Sequence, residues 1–172
     1  MSNPLISICI PTYKRTDLLK KLLDSIKIQT FKNFEILVND NSPDNSVELL
    51  VNSYLQGLPV LYKRNEPAVS AGVNCIRVMQ RASGDWIKVM HDDDWFASYD
   101  SLAKFASNAT SIVKKKLIFS DYWNIDLGTA NKTRITKTAF RLRALTRNPV
   151  SILSENIIGP PSNTLFPSSI AI

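Results

Sequence analysis

At 172 residues and 19.3 kDa the chain suits one domain, and a domain of that size hides roughly 70% of its unfolded surface without a disulfide or metal staple. Hydrophobic residues at 44% and charged residues at 21% exclude wholesale disorder, and no apolar stretch approaches the ~20 residues of a membrane-spanning helix. The net charge of +6 is local, because residues 127–154 hold Lys132, Arg134, Lys137, Arg141, Arg143 and Arg147 and no acid.

Met1-Ser2-Asn3-Pro4 has neither the basic nor the long apolar part of a secretory signal. Leu5-Ile6-Ser7-Ile8-Cys9-Ile10 then reads as a strand buried on both faces and ended by Pro11. Thr16 is placed to cap a helix carrying Leu18, Leu19, Leu22, Leu23 and Ile26. Residues 34–38 predict a second strand running into Asn39-Asp40-Asn41-Ser42-Pro43, and a helix follows from about Ser46 with Val47, Leu50, Val51 and Tyr54 on one face. Residues 60–62 predict a third strand, 71–82 a third helix and 86–90 a fourth strand. Beyond Asp94 the pattern loosens into a helix over 101–109, a short strand over 117–120 and a turn entering a strand near Leu165-Phe166. Alternating strand and helix means an α/β domain with a mostly parallel sheet and right-handed crossovers. Cys9 and Cys75 lie in apolar runs, as buried free thiols of a reducing compartment do, so a cytoplasmic protein is expected.

Ligands of open α/β sheets bind beyond the carboxyl ends of the strands. The first strand delivers Pro11-Thr12-Tyr13-Lys14-Arg15 to that edge, the second Asp40, and the fourth His91-Asp92-Asp93-Asp94-Trp95. Three adjacent carboxylates repel one another unless a cation or hydrogen-bond donors compensate. Mg²⁺ or Mn²⁺ takes one or two carboxylates and fills its other positions with phosphate oxygens, whereas the plain alternative is a solvated acidic turn. A lone His91 beside such a turn is more often structural than a ligand. No glycine-rich dinucleotide fingerprint or P-loop occurs, so a metal would have to neutralise the phosphates of any ligand. Asp40 would then hydrogen-bond a nucleoside, and Tyr13 would offer an aromatic face to the base or simply pack in its turn.

Ser7-Ile8-Cys9-Ile10-Pro11-Thr12-Tyr13-Lys14-Arg15, Glu35-Ile36-Leu37-Val38-Asn39-Asp40-Asn41-Ser42, and Ala82-Ser83-Gly84-Asp85-Trp86 leading into His91-Asp92-Asp93-Asp94-Trp95 resemble, in order and spacing, the family 2 glycosyltransferases of the GT-A fold. Gly159-Pro160-Pro161-Ser162 with Leu165-Phe166 is similar to that family's acceptor-side strand. The resemblance implies a Rossmann-like, mostly parallel sheet with flanking helices. Residues 1–98 would be the nucleotide-sugar-binding half and 99–172 the incomplete start of an acceptor-side half, within one domain. It implies that Pro11, Thr12, Tyr13, Arg15, Asp40, Asn74, Asp92 and Asp93 bind the nucleotide sugar, and that Asp92 and Asp94 hold Mn²⁺ or Mg²⁺ in a DXD element. Family members carry their Asp or Glu base beyond the Gly-Pro-Ser element, here beyond Ile172, and Asp121 and Glu155 do not match its position.

The expectation is an inverting, metal-dependent transfer from a nucleotide-diphospho-sugar, a UDP-sugar by preference. The acceptor would be a glycan or lipid-linked molecule of bacterial surface polysaccharide synthesis. A sugar nucleotidyltransferase or metal-dependent phosphatase built on the same aspartates, or a catalytically silent nucleotide-binding module, are the rivals. The basic stretch lacks the motifs and aromatic platform of a nucleic-acid site. Its six cations are either a solvated face or a contact for the anionic inner face of the membrane.

Overall fold

The computed structural model describes residues 5–111, 117–138, 143 and 158–170. Arg141, Arg147 and Glu155 lie outside the described residues. The apolar run at the start forms β1 (Ile6–Thr12), which continues through Pro11. It is followed by α1 (Thr16–Lys27), β2 (Phe34–Asp40), α2 (Ser46–Asn52), β3 (Val60–Arg64), α3 (Ala71–Gln80) and β4 (Trp86–Val89). Then come α4 (Ser101–Ser111), β5 (Ile118–Phe119), β6 (Tyr122–Ile125), β7 (Lys132–Ile135), a 3₁₀ turn over Pro161–Asn163, β8 (Thr164–Pro167) and a second 3₁₀ turn over Ser168–Ile170.

The main sheet has six strands in the order β3-β2-β1-β4-β8-β5. The first four are parallel, whereas β8 runs antiparallel to both β4 and β5. Register brings the polar strand ends side by side: Thr12 lies opposite Asp40, and Asp40 opposite Arg64. Because β1 has β2 on one side and β4 on the other, the order reverses there, and a crevice opens between the ends of β1 and β4.

Strand residues of alternating parity feed two cores. Ile6, Ile8 and Ile10 pack with Leu22, Val51 and Phe105 from α1, α2 and α4. On the other face Cys9, Leu37, Ile87 and Val89 pack against Val78 of α3. Both cysteines are free, and burial pushes the Cys9 thiol well above its ordinary range.

The structure corrects the expected cap of α1. Thr16 does not cap α1: it is the first helical residue, Arg15 occupies the cap position, and no side chain caps the turn. The cause lies in the preceding loop, where Lys14 takes a left-handed φ of 60° and its amide is held by Ser42 Oγ at 2.8 Å, so the helix is entered one residue earlier. The hairpin of β6 and β7 lies in the stretch beyond Asp94 where the sequence pattern loosens. Asp126 Oδ1 accepts the amides of Gly128 and Thr129 at 2.8 and 3.1 Å and shapes its turn.

Candidate active site

At the exit of β1, Thr12 Oγ1 donates to Asp92 Oδ2 at 2.8 Å, and the Tyr13 amide donates to the same oxygen at 3.3 Å. Arg15 reaches Asp92 Oδ1 at 3.3 Å and Asp93 Oδ2 at 2.7 Å. Asp92, only 6% exposed, is therefore held on both carboxylate oxygens by β1 and its loop. Tyr13 projects half-exposed, with Lys14 Nζ 5.1 Å from its ring centre.

Asp40 is fully buried. Its oxygens accept the Ser42 amide at 2.7 Å and the Tyr62 hydroxyl at 2.8 Å. Burial and the nearby Asp40 carboxylate push the Tyr62 hydroxyl up to about 12. Arg64, beside Asp40 in the sheet, ion-pairs with Glu48 at 2.8 Å. Tyr13, Ser42, Arg64 and Asn65 line a cavity of about 260 Å³ over these strand ends. Arg64 and Asn65 are additions to the site; their sequence signal was a polar pair closing the third apolar run. Asn74 is buried beneath the same loops, donating to the carbonyls of Thr12 at 3.4 Å and Asn39 at 3.1 Å and accepting from Asn65 at 2.8 Å. It braces the backbones that form the site.

The aspartate triplet divides. The Asp94 amide bonds back to the His91 carbonyl at 3.0 Å, and the tight turn sends neighbouring carboxylates in different directions. Asp92 faces β1. Asp93 and Asp94 line a larger cavity of about 760 Å³, with exposed His91 at its rim and Trp95, Tyr122, Trp123, Lys132 and Ser162 around it. Burial raises the Asp94 carboxyl above its usual range, opposed by a hydrogen bond from Ser162 and reinforced by Asp93. Lys88, fully buried on the floor, is brought down to about 7 by desolvation.

A divalent cation fits this arrangement in a limited way. Among the described residues no cluster of three or more His, Cys, Asp or Glu could cage a metal. Asp94, and Asp93 beside it, instead present hard oxygen donors to a cavity wall, and no ion pair with Asp94 forms among the described residues. That suits an ion that keeps most of its positions for phosphate and water.

The basic stretch is less uniform in space than in sequence. Arg134 pairs with Asp121 at 3.3 Å, the Lys137 amide donates to Asp121 at 3.0 Å, and Lys137 Nζ sits 4.8 Å from the Tyr122 ring centre. An acid from just upstream thus partly neutralises it. Arg143 is exposed.

The model of the family "Glycosyl transferase family 2" matches residues 7–149, and the chain belongs to that family. It is 35% identical over 103 residues to the abequosyltransferase RfbV of Salmonella typhimurium, covering 58% of this chain and 31% of that protein. TarS 1-349 of S. aureus superposes with a TM-score of 0.66 at 16% identity over 95% of this chain and 47% of that one. A mannosyltransferase from Pyrobaculum calidifontis, in complex with GDP-Man and Mn²⁺, gives 0.56 at 18% identity over 63% and 33%. The fold is GT-A, with a mostly parallel sheet and flanking helices. The chain spans about a third of the length of the abequosyltransferase that it matches.

Proposed function

We propose that the chain forms the donor-binding part of an inverting, divalent-metal-dependent glycosyltransferase. It would transfer a sugar from a nucleotide-diphospho-sugar, a UDP-sugar by preference, to a glycan or lipid-linked acceptor in bacterial surface polysaccharide synthesis. The observation that carries the reading is the bond from Thr12 to Asp92 at the strand-order reversal, with Asp94 on the cavity side of the same turn. Residues 1–98 serve the donor, and residues from 99 onward begin the acceptor side. The nucleoside lies over Pro11, Thr12, Tyr13 and the 260 Å³ cavity, oriented by the Asp40–Tyr62 pair. Arg15, half-exposed and bridging Asp92 to Asp93, can turn a guanidinium toward the diphosphate.

Asp94 would hold Mn²⁺ or Mg²⁺, aided by Asp93 in place of the expected Asp92, whose oxygens are held by Thr12, Tyr13 and Arg15; when bound the ion supplies Lewis-acid stabilisation of the departing nucleoside diphosphate. Apolar walls such as Phe96 and Phe105 exclude water from that side. The base that deprotonates the acceptor hydroxyl lies outside the described residues. Asp121, although on the cavity wall, is occupied by Arg134 and the Lys137 amide. Support comes also from the abequosyltransferase relative and from structures of fold relatives with UDP-GlcNAc or with GDP-Man and Mn²⁺.

Incubation with nucleotide sugars tests the reading. Release of nucleoside diphosphate marks sugar transfer or slow donor hydrolysis. Consumption of added pyrophosphate, with formation of nucleoside triphosphate and sugar 1-phosphate, would mean nucleotidyl transfer, and tight binding without turnover a silent module. No helix among the described residues is long and apolar enough to cross a membrane. The acceptor's membrane, if there is one, would be met at the surface by Lys132, Arg143 and their basic neighbours. Salt-sensitive co-sedimentation with anionic but not neutral vesicles checks that contact.

A further inference from the structure

Lys88 is the one charged side chain in the middle of β4, on the face whose neighbours Trp86 and Met90 belong to the main apolar core. It is 1% exposed. A lysine there is costly unless its nitrogen is satisfied. Nζ donates to the carbonyls of Ser162 and Thr164, the latter at 3.1 Å, and lies 4.3 Å from the centre of the Phe105 ring. Charged or neutral, the amine keeps enough hydrogens for both carbonyls.

Those carbonyls belong to the turn Pro161–Asn163 and the first residue of β8. Antiparallel pairing of β8 with β4 is confined to Trp86–Pro167 and Ile87–Phe166, so it ends before the turn. Past that point Lys88 is the tie from β4 to the turn. The turn in turn forms part of the site, because Ser162 and Asp94 line the same cavity.

We propose that Lys88 is a positioning residue: through the Ser162 and Thr164 carbonyls it fixes the Pro161–Asn163 turn, and with it the cavity wall that Ser162 shares with Asp94. The functional half of this inference rests on the donor-site reading given above; the pinning half does not.

Lys88→Met separates the two. Methionine matches the apolar surroundings and removes the cost of burying an amine, but it leaves the Ser162 and Thr164 carbonyls without this donor. These effects oppose each other, and the variant should stay folded with a cooperative melt. Amide hydrogen exchange over residues 159–165 should nevertheless quicken by about tenfold or more, with β1 and β2 unchanged. With a UDP-sugar, KM should hold within about twofold while kcat for donor turnover falls by about tenfold or more, since misplacing a catalytic group by an ångström costs that much. Ser162→Ala should lower kcat similarly, and the double variant should be no worse than either single one.

Unchanged exchange over residues 159–165 in a stable Lys88→Met protein overturns the pinning. Undiminished kcat, or additive losses in the double variant, overturns the positioning role. A wild-type chain that neither binds nor turns over nucleotide sugars would defeat the donor-site reading, and the exchange result would then decide the pinning alone.

Discussion

Thr12 Oγ1 and Asp92 Oδ2 lie 2.8 Å apart although eighty residues of chain separate them. The bond ties the exits of β1 and β4 together where the strand order reverses. It also commits Asp92 to the β1 side, leaving Asp93 and Asp94 to face the larger cavity.

Thr12→Val removes this donor and leaves a buried carboxylate with only the Tyr13 amide and Arg15. The expected loss of stability is about 1–3 kcal/mol, the range for an under-satisfied buried charged acceptor. Urea unfolding should show a lower midpoint at unchanged slope, with Thr12→Ser recovering most of it. An unaltered midpoint would mean that the bond carries no net stability.

Gly84 illustrates a second local constraint. A Cβ there would lie 2.8 Å from both the amide nitrogen and the hydroxyl of Ser7, and the Gly84 amide already donates to that hydroxyl at 2.9 Å. Gly84→Ala must displace β1 backbone, at a cost of about 1–3 kcal/mol as for other overpacked sites. Thermal unfolding checks this, and Gly72→Ala, with nothing within 4 Å of the added carbon, is the control that should not destabilise.

The strands and helices through β4 were legible because each apolar run had one meaning: Ile6, Ile8 and Ile10 serve one core and Cys9 the other, as expected for a strand buried on both faces. The cluster at the strand ends was legible because the turns carry almost all of its polar chemistry. Side-chain direction was not. Nothing in three consecutive aspartates says that the first is held by Thr12 and the last faces a cavity, since the His91–Asp94 turn makes that division. In the sequence Lys88 is one polar residue within an apolar run, and its partners come from a segment more than seventy residues away. The β6–β7 hairpin leaves no periodic apolar pattern in the sequence, because Trp123 and Lys132 are exposed.

Burial holds the Lys88 amine at about 7, against 10.5 in an unhindered lysine. Between those values the unfolded chain binds a proton that the folded chain lacks, so stability rises with pH across that window; below about 7 both states are protonated and the gain is absent. Melting temperatures measured from neutral pH to about pH 10 should climb in the wild type relative to Lys88→Met. Parallel curves for the two proteins would contradict the assignment.

Asp40→Asn keeps the shape of a fully buried side chain but changes what Ser42, Tyr62 and a nucleoside meet there. UDP affinity should weaken by about tenfold, or 1.4 kcal/mol, while the ratio of affinities with and without Mn²⁺ stays as in the wild type. A changed ratio would link Asp40 to the metal and contradict the separation of the two cavities.

Titration calorimetry of UDP with Mn²⁺ and with chelator, on the wild type and on Asp94→Ala, tests the central claim most directly. The account predicts wild-type affinity at least about tenfold weaker in chelator, and Asp94→Ala binding alike in both conditions at the wild type's chelator value. Equal wild-type affinity with and without metal, or full metal dependence retained in Asp94→Ala, would contradict it.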